Sequence, residues 1–127
     1  MYSLTIGLKE DREEYEAKQN IQLSPVSDAL LLYQNGEVDK ASQLFDQIVN
    51  NDPSNYKTRI LLAEIYHEQC IEKDTNCEQA LWQLDYLIEH FPTEIRPLEM
   101  RSKIFLKLKD TISARNDVLK ISNINAN

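Results

Sequence analysis

Only two glycines and four prolines occur in 127 residues, and that scarcity excludes the turn-rich all-β architectures. No run of apolar residues approaches the roughly 18 that a spanning helix requires, so no membrane insertion is expected. Cysteine is limited to Cys70 and Cys77 and histidine to His67 and His90, at spacings that match no standard zinc module. Positive charge is in short supply too. A formal charge of −7 disfavours nucleic acid as a partner, because neutralising phosphates supplies most of such affinity. Glycine-rich phosphate loops and Ser-His-Asp sets are missing, and neither histidine has a nucleophile at a recognisable spacing. No catalytic residue and no cofactor are therefore expected, and the chain reads as a non-enzyme. The N-terminus has no basic n-region, which makes a cytoplasmic location the expectation.

What is present is helical. A hydrophobic content of 42% argues against disorder, and the length suits one domain. Residues 1–9 alternate Tyr2, Leu4, Ile6 and Leu8 with polar neighbours, the period of a half-buried strand, but no later segment offers a pairing strand; a tail is expected. Residues 10–22 carry Tyr15, Ala17 and Ile21 as a weak stripe and read as a partly packed N-terminal helix. Ser24 and Pro25 then open a helix that Asn35-Gly36 breaks, and a second runs from about Val38 to Val49 before Asn51-Asp52-Pro53-Ser54.

A spaced quartet in that second helix, Ala41, Phe45, Ile48 and Pro53, recurs 39 residues later as Ala80, Leu84, Leu87 and Pro92. Its spacing appears a third time as Ala114, Val118 and Ile121. Three helix pairs result, over about 22–55, 56–94 and 95–122, with 123–127 as a C-terminal tail. Small residues at Ala29, Ala63 and Ser102 in the first helices, and at Ala41, Ala80 and Ala114 in the second, mark where paired helices approach most closely. The second unit is irregular. Tyr66 to Ala80 is fourteen residues, whereas Leu32 to Ala41 and Phe105 to Ala114 are nine. Five extra residues within 67–77 either lengthen the first helix by a turn or enlarge the loop.

That segment holds the residues closest to a metal set, His67, Cys70 and Cys77. A fourth ligand is unassigned, and no metal is expected. Cys70 and Cys77 are either a disulfide across the inserted turn or two free thiols; a cytoplasmic setting favours the thiols. Trp82 lies beside the packed Leu81 and Leu84 stripe and reads as a partly covered surface aromatic. Charge is uneven along the chain: −2, −4 and −5 over residues 1–22, 23–55 and 56–94, then +4 over 95–127.

The pattern of small residue, aromatic, then Ala, aromatic, aliphatic and Pro resembles the tetratricopeptide repeat over roughly residues 22–122. The family's usual first-helix tryptophan is replaced by Pro25, Arg59 and Leu98. The resemblance implies an all-α fold, an α-solenoid of three such hairpins preceded by a short N-terminal helix and tail. It also implies that first helices line a concave surface. Carried onto this chain, the partner-binding groove comprises Leu23, Val26, Leu30 and Tyr33, then Lys57, Ile60, Glu64 and His67, then Arg96, Glu99, Lys103 and Lys107. Val26 and Leu30 replace the Lys and Asn with which chaperone-adaptor members grip a carboxyl terminus, and on these residues Val26 and Leu30 equally suit covering the N-terminal helix. One end of the groove is apolar and the other basic, which suits a peptide or amphipathic helix combining apolar anchors with acidic residues. The expected role is an adaptor or chaperone scaffold for a protein partner, in a concrete version a bacterial secretion or envelope-assembly chaperone. The alternative is a self-associating subunit, a homodimer or larger, using the alternating N-terminus and an uncapped C-terminal edge of Val118, Leu119, Ile121 and Ile124.

Overall fold

The computed structural model describes residues 25–127, and all regular structure among them is helical. The helices are α1 (Pro25–Gln34), α2 (Val38–Asn51), α3 (Tyr56–Lys73), α4 (Cys77–His90), α5 (Ile95–Lys107) and α6 (Thr111–Ala126). The expected N-terminal strand-like tail and helix lie outside the described residues. Each helix packs on its neighbour in the chain, most extensively within the pairs α1–α2, α3–α4 and α5–α6.

Two kinds of turn alternate. Within each pair the chain reverses through a left-handed residue, Gly36 (φ 84°), Asp74 (φ 57°) or Lys109 (φ 65°). In each case the following amide reaches back to the preceding helix: Glu37 to the Leu32 carbonyl at 2.9 Å, Thr75 to Gln69 at 3.3 Å, and Asp110 to Phe105 at 2.8 Å. These bonds satisfy carbonyls that a helix end leaves orphaned. Between pairs the turn is built on proline. Asn55 N–H donates to the Asp52 carbonyl at 3.2 Å and Glu94 N–H to Phe91 at 3.1 Å, which places Pro53 and Pro92 at the second position of matching turns, where their fixed φ fits. The repeated proline is thus a turn residue, and its 39-residue recurrence is local geometry. Asn55 and Asp110 then cap α3 and α6, their side chains accepting from Thr58 N–H and Ser113 N–H, each at 3.1 Å.

The core follows the spacing of the small residues. Ala29, Ala41, Ala63, Ala80, Ala114 and Ser102 are all buried, and Phe45, Leu62, Leu84, Leu87, Met100 and Ile104 fill the space that their close approach leaves. Val118 departs from the pattern. It occupies the position of the fully buried Phe45 and Leu84 yet is 52% exposed, because no further pair follows to cover it among the described residues.

Three expectations gain a definite outcome. The five extra residues of the second unit lengthen the helix, since α3 has 18 residues against 13 in α5. The chain beyond Ser122 is not a tail: α6 runs on through Ala126, its periodicity continuing in Ile121 and Ile124, both partly buried. Cys70 and Cys77 are not free thiols. They form a disulfide that joins the last turn of α3 to the first residue of α4. In the chain-entropy account, closing a loop of this length stabilises the fold by about 2.5 kcal/mol. It fixes the end of the lengthened helix.

Candidate partner-binding groove

Val26, Leu30 and Tyr33 line one side of α1, partly buried against the core, while Leu23 lies outside the described residues. On α3, Lys57 is exposed and Ile60, Glu64 and His67 are partly buried; on α5, Arg96, Glu99 and Lys103 are exposed and Lys107 is partly buried. The structure brings the α3 and α5 groups together. Glu64 pairs with Arg96 at 3.7 Å, and His67 lies within the field of Arg96 and Lys103. Burial first, and those two cations second, hold the His67 imidazole below its ordinary pKa; its Nε2 is buried without a hydrogen-bond partner. Lys107 turns back onto α3, donating to the Ile71 carbonyl at 3.3 Å and pairing with Asp74 at 2.5 Å. Arg96 and Lys107 of the basic end are therefore engaged with carboxylates of the chain itself.

α1 and α3 behave differently. α3 packs closely on α5, but its contact with α1 is slight, and two adjoining cavities occupy the space between them. The smaller, about 210 Å³, is bounded by Leu30 and Tyr33 of α1 and by Leu61, Glu64, Ile65 and Glu68 of α3. The larger, about 510 Å³, shares Tyr33, Ile65 and Glu68, adds Gly36, Val38 and Asp39 from the first turn and α2, and is closed by Gln69, Glu72, Lys73, Thr75 and Asn76. Tyr33 Oη donates to the Glu68 carboxylate across the gap. That bond, with burial next, pushes the phenol up to about 12, so it stays a donor at any physiological pH.

Leu61, Ile65, Glu68, Gln69 and Glu72 escape sequence reasoning as groove residues. Leu61, Ile65 and Glu68 sit one position round the helix from Ile60, Glu64 and His67, with Gln69 and Glu72 a turn further on, and they line the side of α3 that faces α1. Glu64 lies at the border, lining the smaller cavity while it pairs with Arg96 of α5. A signal for them exists in the insertion, because Glu68 to Asn76 fall within the lengthened segment and supply one wall of the larger cavity. Asn76 Nδ2 donates to Gln69 Oε1 at 2.6 Å, bracing that wall beside the disulfide.

At the other end of the molecule, Val118 and Leu119 are exposed, as are Leu106, Leu108 and Ile112. Ile124 closes a cleft of about 450 Å³ with Ile88, Pro92 and Leu98. Trp82 is 60% exposed on α4 and stacks on Tyr86, centroids 6.3 Å apart. Among the described residues no group of three or more His, Cys, Asp or Glu is placed to hold a metal ion, and no helix is long and apolar enough to cross a membrane. No protein-family model matches the chain, and no curated protein is significantly similar to it.

Proposed function

We propose that the chain is a three-hairpin α-solenoid of tetratricopeptide type that performs no chemistry and serves as an adaptor or chaperone, holding a peptide or helix of a protein partner along α1, α3 and α5. The observation that carries this reading is the open space left between α1 and α3 among the described residues. A partly apolar, open cavity between helices is where side chains of a partner are received. Support for the repeat reading comes from the turns: three left-handed reversals and two proline turns recur in register. The disulfide favours an oxidising compartment over the cytoplasm, which agrees with the envelope-assembly version of the role.

A photo-crosslinking residue placed at Leu61, in the cavity wall, is expected to give a covalent adduct with one partner in the native cell, whereas the same residue at Gln47, exposed on α2, gives none. Adducts of equal yield from both positions overturn the groove assignment. Self-association is a second reading, favoured by the five large apolar side chains exposed between Leu106 and Leu119. Light scattering of the purified chain should then show a dimer or larger species that Leu119→Glu disperses; a monomer excludes it.

A further inference from the structure

We infer that the segment received between α1 and α3 carries an apolar side chain flanked by lysine or arginine, an inference that rests on the groove reading above. The larger cavity offers two kinds of surface at once. Tyr33, Val38 and Ile65 give it apolar walls, whereas Asp39, Glu68 and Glu72 place carboxylates around them, against a single lining cation, Lys73, among the described residues. Glu64 adds a fourth carboxylate at the adjoining smaller cavity. Tyr33 Oη orients one of these groups, Glu68, so that its carboxylate is held at the mouth shared by both cavities.

Charge complementarity decides the occupant. Residues 23–55 and 56–94, which build both walls, carry −4 and −5. Of the basic side chains that would attract an acidic segment, Arg96 is paired with Glu64 at the border of the smaller cavity and Lys107 with Asp74, so both are already offset by carboxylates of the chain. An acidic partner, the expectation from sequence, would bring like charge to the cavity. A segment with an apolar anchor and a neighbouring cation matches both the walls and their rim, and the lengthened α3 exists to present that rim: Glu68 and Glu72 both belong to its inserted stretch.

The test uses a fluorescein-labelled peptide of leucine and lysine in helical spacing and a twin with glutamate in place of lysine, each titrated with the whole chain and read by fluorescence anisotropy. The lysine peptide is expected to bind and the glutamate twin not. Glu68→Gln with Glu72→Gln should weaken the lysine peptide about tenfold. Glu89→Gln with Glu94→Gln, exposed around the α4–α5 connection and equal in net charge, should leave it within about twofold, the insensitivity expected of exposed charges away from the cavity. Equal weakening by both pairs means non-specific attraction and overturns the inference. Tighter binding of the glutamate twin that Leu61→Asp abolishes also overturns it, yet leaves the groove standing. Binding of neither peptide, or binding indifferent to Leu61→Asp, overturns the groove reading with it.

Discussion

Replacing Asp117 by alanine is expected to destabilise the fold by about 3–5 kcal/mol, read as a lowered urea midpoint and a melting temperature lower by on the order of 15 °C. Asp117 is 1% exposed, on α6, and its carboxylate takes both prongs of the Arg101 guanidinium from α5: Nε at 2.9 Å and Nη2 at 2.6 Å. The remaining nitrogen, Nη1, donates to Asp85 on α4 at 2.9 Å, so one arginine ties three helices. Hydrogen bonding to Asp117 raises the Arg101 pKa in spite of burial. Removing the carboxylate leaves a mostly covered cation with only an exposed partner, Asp85, at one side. The loss is chiefly that of an uncompensated charge. Accordingly the double variant Arg101→Met with Asp117→Leu should recover most of the stability, because an apolar pair of similar volume avoids desolvation altogether. If the double variant is as unstable as Asp117→Ala, packing and not charge sets the cost.

The all-helical class and the burial of the small residues were legible because each rests on local periodicity: Ala29, Ala63 and Ala114 are buried where a period of 3.6 places them. Periodicity gives the spacing of a face but not which neighbour the face meets. The shift from Ile60, Glu64 and His67 to Leu61, Ile65 and Glu68 shows the consequence, since α3 has one flank packed on α5 and another open towards α1. Equal spacing misleads about burial as well. Val118 has the spacing of a core residue, but burial at that position depends on the next unit, a non-local fact. The disulfide was an open alternative for a related reason: whether Cys70 and Cys77 meet depends on how far α3 extends before it turns, and although Asp74 and Asn76 are residue types that tolerate the left-handed conformation, their presence marks a turn without fixing where the helix ends.

Arg59 is buried on α3 beside the α2–α3 turn, and its loss is the second large effect expected. The side chain is 3% exposed. Nε and Nη2 donate to the Pro53 carbonyl at 3.4 and 3.3 Å, Nη1 donates to Gln83 Oε1 at 2.8 Å, and the guanidinium lies 3.7 Å from the centroid of the Tyr86 ring. Planar, cationic and long, it fills the space between the α2–α3 turn and α4 and covers an aromatic face. Burial pulls its pKa down, against the raising influence of Tyr86 and Asp46. Arg59→Ala should therefore cost about 3 kcal/mol, combining the unfilled volume with a buried Gln83 amide and Pro53 carbonyl left without their donor. Arg59→Met keeps the volume of the stem and forfeits only the polar contacts, so it should cost about half as much. Chemical denaturation of the two variants side by side separates these contributions. Equal losses would mean that the hydrogen bonds alone hold the turn, and a negligible loss in both would remove Arg59 from the account of how the second hairpin is fixed to the first.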